Sequence, residues 1–99
     1  MIKRFVKLTF RPELVSDFLA LFEETKDRIR HFPGCLHLEL LREADQENVF
    51  FTCSFWENEQ ALDAYRHSEL FKDTWARTRA LFLEKGEAWT MEVVSEAKD

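Results

Sequence analysis

The spacing of apolar residues along this chain switches between a period of two and one of about 3.6, and the order of the switches fixes the class of fold. Ile2, Val6, Leu8 and Phe10 alternate with Lys3, Phe5, Lys7 and Thr9, which predicts a strand over residues 2–10. Arg4 interrupts the apolar side, and a charge there must reach a partner, a ligand or solvent. Pro12 suits the first turn of a helix, where its missing N–H costs nothing. Leu14, Phe18, Leu21, Phe22, Thr25, Ile29 and Phe32 then recur at helical spacing, and Pro33-Gly34 stops the run.

Two further strands are expected at residues 35–42 and 49–56, joined by a polar hairpin loop. On the first of these, Leu36, Leu38 and Leu40 share one side, and Cys35, His37, Glu39 and Leu41 the other. On the second, Val49, Phe51, Cys53 and Phe55 are assigned to the helix side, and Phe50, Thr52, Ser54 and Trp56 to the opposite side. Asn58 caps a short helix carrying Ala61, Leu62 and Tyr65, while Phe71, Trp75, Thr78 and Phe82 line a second helical segment. In one straight helix Leu62 and Phe71 would point about 180° apart, so a break is predicted near His67-Ser68. Gly86 is expected to end the helical region. Residues 88–94 form the last strand, with Trp89, Met91 and Val93 on one face, and 95–99 a frayed tail. The order β-α-β-β-α(α)-β reads as an α+β fold, a ferredoxin-like plait. One antiparallel sheet carries helices on one face, in a single domain over 1–99.

Ten Phe and three Trp in 99 residues are more aromatic surface than a minimal core needs. A domain of this size buries only about 65% of its unfolded surface. The second sheet face is expected to hold Phe5, Leu41, Phe50 and Trp56 beside Lys7, Thr9, His37, Glu39, Thr52, Ser54, Thr90 and Glu92. Monomers rarely leave such a patch open, so a homodimer joined sheet to sheet is predicted. A net charge of -5 argues against a nucleic-acid groove. The first residues hold no long apolar run, so neither a signal peptide nor a membrane span is expected. Cys35 and Cys53 lack CxxC spacing and read as buried thiols in a cytoplasmic protein.

Phe10-Arg11-Pro12-Glu13, Phe32-Pro33-Gly34-Cys35 and Ser54-Phe55-Trp56-Glu57 follow one another, then Tyr65, Ser68, Phe71, Trp75 and finally Trp89. In order and spacing this resembles the antibiotic biosynthesis monooxygenase domain over nearly the full length. The resemblance implies a dimeric α+β barrel. It also implies one of three roles: cofactor-free oxygenation of quinols and aromatic polyketides, haem degradation, or no known activity. The haem degraders use an Asn on the first strand and a Trp and a His on the second helical region. Those positions fall at Arg4, Tyr65 and Trp75, none of which keeps its type. Trp75 cannot serve as an axial iron ligand.

Cofactor-free oxygenation needs an electron-rich substrate that loses a proton, together with a base, a positive group and a dry pocket. Phe18, Phe22, Phe51, Phe55, Phe71 and Trp75 are available to wall a pocket for a small apolar aromatic ligand, or simply to fill the core. Arg4, Tyr65 and His67 are the catalytic candidates. Arg4 would steady an oxyanion or else form a salt bridge at the sheet edge. Tyr65 would relay a proton or else bond a backbone group. His67 would act as base or else sit solvated at a helix end. His31, His37 and His67 show no metal-ligand spacing, so no metal is expected. Two glycines leave no phosphate-binding loop, and no cofactor is expected. The function expected is a cofactor-independent monooxygenase of a small aromatic, quinol or polyketide-like substrate. The alternatives are a non-catalytic dimeric small-molecule-binding module and a haem-binding or haem-degrading monooxygenase.

Overall fold

The computed structural model describes residues 1–98. Strand β1 (Ile2–Phe10) leads through a short 3-10 turn (Pro12–Leu14) into helix α1 (Val15–Arg30). The hairpin β2 (Cys35–Arg42) and β3 (Val49–Trp56) follows, then α2 (Glu59–Arg66), α3 (Glu69–Arg79) and β4 (Phe82–Glu92). The four strands form one antiparallel sheet in the order β2-β3-β1-β4. This is the expected ferredoxin-like plait. Residues 93–98 carry no regular structure, and Asp99, the end of the expected tail, lies outside the described residues.

The helix ends form where side chains satisfy the backbone. Asn58 Oδ1 accepts the Ala61 N–H at 2.8 Å and starts α2. Ser68 Oγ accepts the Phe71 N–H at 3.1 Å and donates to the Tyr65 carbonyl at 2.6 Å. One hydroxyl therefore closes α2 and opens α3, at the predicted break. After α1, Gly34 takes a φ of 89°, and its backbone lies against Ala61 of α2.

Strand register corrects three expectations. Directly opposed residues share a face, and Leu8 pairs with Phe50, Val6 with Thr52 and Arg4 with Ser54. Phe50, Thr52, Ser54 and Trp56 therefore face the helices, while Phe51, Cys53 and Phe55 face away, the reverse of the expected assignment. Both sides of β3 are apolar, so alternation alone could not choose between them. On β2 the register shifts between Cys35 and His37. This bulge turns Cys35 inward with Leu38 and Leu40 and leaves Leu36 exposed. Finally, β4 begins at Phe82 rather than near residue 88, so Gly86 lies within a strand and Phe82 is not helical. Pairing with Arg4 and Ile2 puts Thr90 and Glu92 on the helix side, with Trp89 and Met91 on the outer face.

Two buried clusters hold the helices to the sheet. At one end Ile2, Cys35, Trp56 and Leu62 pack with Phe32, Ala61 and Tyr65. At the other, Leu8, Phe10, Phe18 and Phe50 pack with Val6, Phe22, Trp75 and Phe82. Phe10 and Phe18 stack at 4.1 Å there. The outer sheet face carries Phe5, Leu41, Phe51, Phe55, Trp89 and Met91, and Leu41, Trp89 and Met91 are each more than a third exposed.

Candidate functional site

Members of both clusters wall a cavity of about 190 Å³ between the sheet and the helices. Phe18 and Phe22 come from α1, Trp56 from β3, and Phe71 and Trp75 from α3. Phe71 and Trp75 stack nearly parallel, 6.0 Å apart and 7° between planes. Phe82 meets Trp75 edge-on at 5.6 Å. Gly86 completes this wall because β4 shifts register beside it; a Cβ there would lie 3.3 Å from the rings of both Trp75 and Phe82.

Polar groups are few and placed at defined points. Arg4 projects from the inward side of β1, and its Nη1 donates to Thr90 Oγ1 at 2.8 Å. Among the described residues no carboxylate lies within ion-pair distance of Arg4. Burial holds its pKa below the ordinary guanidinium value, and the positive charge of Arg66 adds to that. Arg66 also lines the cavity and donates from Nη2 to Asp63 Oδ1 at 3.0 Å. Glu87 is the one acidic residue bordering the cavity among the described residues, but it pairs with Lys7 across the strands, so its carboxylate lies on the outer sheet face, 4.0 Å from Lys7.

Tyr65 stacks on Trp56 at 5.0 Å and meets Phe32 and Phe71 edge-on. Burial, with a smaller push from Cys35, raises its pKa well above the usual phenol range, so its hydroxyl stays protonated. Thr25 and Thr78 donate to the carbonyls of Leu21 and Thr74, at 2.9 and 2.7 Å. The buried Thr74 Oγ1, in contrast, has no hydrogen-bond partner. A hydroxyl so placed can serve a ligand, since an unmet buried polar atom is otherwise costly.

Of the candidate residues, the fold brings Arg4, Tyr65, Phe18, Phe22, Phe71 and Trp75 together around the cavity. Phe51 and Phe55 lie on the opposite sheet face, for the register reason given above. His67 is not in the lining: its side chain is 76% exposed, and Nδ1 lies 2.8 Å from the Asp63 carbonyl oxygen. It occupies the C-cap of α2. Sequence reasoning missed Trp56, Arg66 and Thr74. Arg66 was findable, because it follows Leu62 by four residues and so shares its helix face.

Among the described residues no group of three His, Cys, Asp or Glu could hold a metal ion. A haem is likewise poorly served, because the lining offers no His, Cys or Met as axial ligand. Its one phenol, Tyr65, is packed among Phe32, Trp56 and Phe71. These residues do not fit that group. No helix among the described residues is long and apolar enough to cross a membrane.

Sheet and helices together define a ferredoxin-like plait of the α+β class with an aromatic cavity beneath its helices. The antibiotic biosynthesis monooxygenase family model matches residues 1–77, and the chain belongs to that family. A solved antibiotic biosynthesis monooxygenase superposes with a TM-score of 0.89 at 24% identity, over 96% of this chain and 100% of that one. Rv0793 of Mycobacterium tuberculosis gives 0.88 at 21% identity, covering 98% of each chain. SnoaB, a cofactor-independent oxygenase of Streptomyces nogalater solved as a mutant, gives 0.87 at 19% identity, over 99% of this chain and 97% of its own. At these identities the likeness establishes the fold. A candidate haem-binding protein of Natronomonas pharaonis is 30% identical over 66 residues, which are 67% of this chain but only 11% of that protein. Family membership supports a monooxygenase or small-molecule-binding role.

Proposed function

We propose that this chain is a cofactor-independent monooxygenase of a small electron-rich aromatic or quinol, working in the cavity beneath its helices. The observation that carries the reading is an aromatic-walled cavity with an unneutralised guanidinium, Arg4, in its lining. Flat apolar walls hold a ring and exclude water. The guanidinium favours the ionised substrate, which is the form able to give an electron to dioxygen. One oxygen atom then enters the substrate. The other leaves as water with the two hydrogens the substrate gives up, so the substrate supplies all the electrons. Tyr65, kept protonated, is placed to donate a hydrogen bond to a substrate oxygen.

The working unit proposed is a homodimer joined through the outer sheet face. Phe5, Phe51, Phe55, Leu41, Trp89 and Met91 lie on that face among Lys3, Lys7, His37 and Glu39, and Leu41, Trp89 and Met91 are left exposed, which a monomer ordinarily avoids in such a cluster.

Oxygen uptake tests the catalytic reading. Protein freed of metal and flavin should consume dioxygen with members of a quinol panel above the uncatalysed rate, with labelled dioxygen appearing in product. Thermal stabilisation by the same compounds without turnover would establish the binding module instead. That second reading is favoured by one observation: among the described residues no histidine lines the cavity, and the carboxylate of Glu87 turns to Lys7 on the outer sheet face.

A further inference from the structure

The groups around the cavity can hold an anion but are poorly suited to making one. His67 lies outside the lining, Tyr65 stays protonated, and the carboxylate of Glu87 turns away to Lys7 on the outer sheet face. Against these stand two guanidiniums. Arg4 is half-buried, lacks an acidic partner among the described residues, and is fixed by Thr90. Arg66 lies close enough to act on the charge of Arg4, and is itself only partly neutralised by Asp63. A half-buried cation with no counter-charge is an unfavourable arrangement unless a ligand supplies the missing charge.

The size of the cavity narrows the ligand further. Its volume of about 190 Å³ is somewhat above the roughly 150 Å³ that accepts benzene, and below the roughly 300 Å³ at which drug-sized sites begin. One or two fused rings fit within it. The buried Thr74 hydroxyl, on α3 beside Trp75, adds one hydrogen-bonding point for a ring substituent.

From these features we infer that the site selects compact aromatic anions that are already ionised in water, such as hydroxylated aryl carboxylates or acidic phenols and enols, with the anionic group at Arg4 and Arg66 and the ring against Phe71 and Trp75. This deepens the proposed function and rests on its choice of cavity. It differs in placing the ionisation before binding. Because Arg4 does the discriminating, affinity follows the fraction of ligand that is ionised, and neutral isosteres bind weakly.

Calorimetric titration with 2-naphthoate and its neutral counterpart 2-naphthylmethanol tests the inference. The full chain should prefer the carboxylate by about tenfold or more, the range of a charge-assisted hydrogen bond. Arg4→Gln keeps a donor for Thr90 and should lose most of that preference, with naphthoate binding weakened much more than naphthylmethanol binding. Arg66→Gln should lose a smaller part, and Arg4→Lys should restore some of it. Equal affinity for the two compounds, or failure of naphthoate to bind at millimolar concentration, would overturn the inference. Oxygen uptake on neutral quinols that persists unchanged in Arg4→Gln would also overturn it, together with the role given to Arg4 in oxygenation, while the monooxygenase activity itself would stand. A chain that binds naphthoate with the stated preference yet oxidises no quinol would do the opposite.

Discussion

Gly34 shows how one residue ties the end of the first helix to the second half of the fold. Its φ of 89° suits glycine, and a Cβ would fall 2.4 Å from that of Ala61. Gly34→Ala should therefore destabilise the protein by about 2–4 kcal/mol, combining left-handed strain with overpacking. Urea denaturation would measure it, and an unchanged midpoint would refute the close approach. Tyr65 makes a second residue-scale prediction. Its folded pKa lies above its ordinary value of 10.0. The folded state thus holds its proton where the unfolded chain loses it. The stabilisation is complete below about pH 10 and is lost as pH rises beyond it. Tyr65 is the sole tyrosine. Its phenolate absorbance should consequently appear together with alkaline unfolding, not as a separate earlier step, and Tyr65→Phe should lessen the loss of stability.

Among the elements, those with one clear apolar side were legible and those with two were not. Helix α1 shows a single stripe, and β1 alternates between apolar residues and lysines, so both could be placed and faced from spacing alone. The α2–α3 break was legible as well, because Leu62 and Phe71 could not share a straight helix. Strand β3 has large apolar residues on both sides, and only its pairing with β1 decides which side is buried. Two register irregularities, at Leu36 and near Gly86, leave no mark in a period-two reading. The candidate site was legible to the same degree. Arg4, Tyr65 and the helical aromatics lie around the cavity as expected, whereas His67 lies outside the lining and Phe51 and Phe55 were misplaced with their strand. Trp56 was missed for the same reason. Strand β4 yields the prediction at this scale. Gly86→Ala would place a methyl group 3.3 Å from Trp75 and Phe82, inside the cavity wall. Naphthoate binding should weaken severalfold while stability changes by no more than about 1–3 kcal/mol. Calorimetry beside a thermal melt would check both, and unchanged affinity would show that the ligand does not approach β4.

At the scale of the whole molecule, the two faces of the sheet serve different ends. The inner face, under the helices, encloses the cavity, and the outer face presents Phe55, Trp89 and Met91. Helices in this topology cover one side only, so the outer side calls for a second sheet. Light scattering should give twice the chain mass of 11.9 kDa. Phe55→Glu combined with Trp89→Glu should return it to a monomer, since two buried charges per chain would oppose the association. A wild-type protein that stays monomeric at micromolar concentration would remove the dimer. The central claim, however, concerns the inner face. A crystal structure of the full chain with 2-naphthoate bound tests it most directly. The account predicts the ring against Phe71 and Trp75 and the carboxylate at hydrogen-bond distance from Arg4. A ligand seated on the outer sheet face, or a cavity that stays closed around its own side chains, would contradict it.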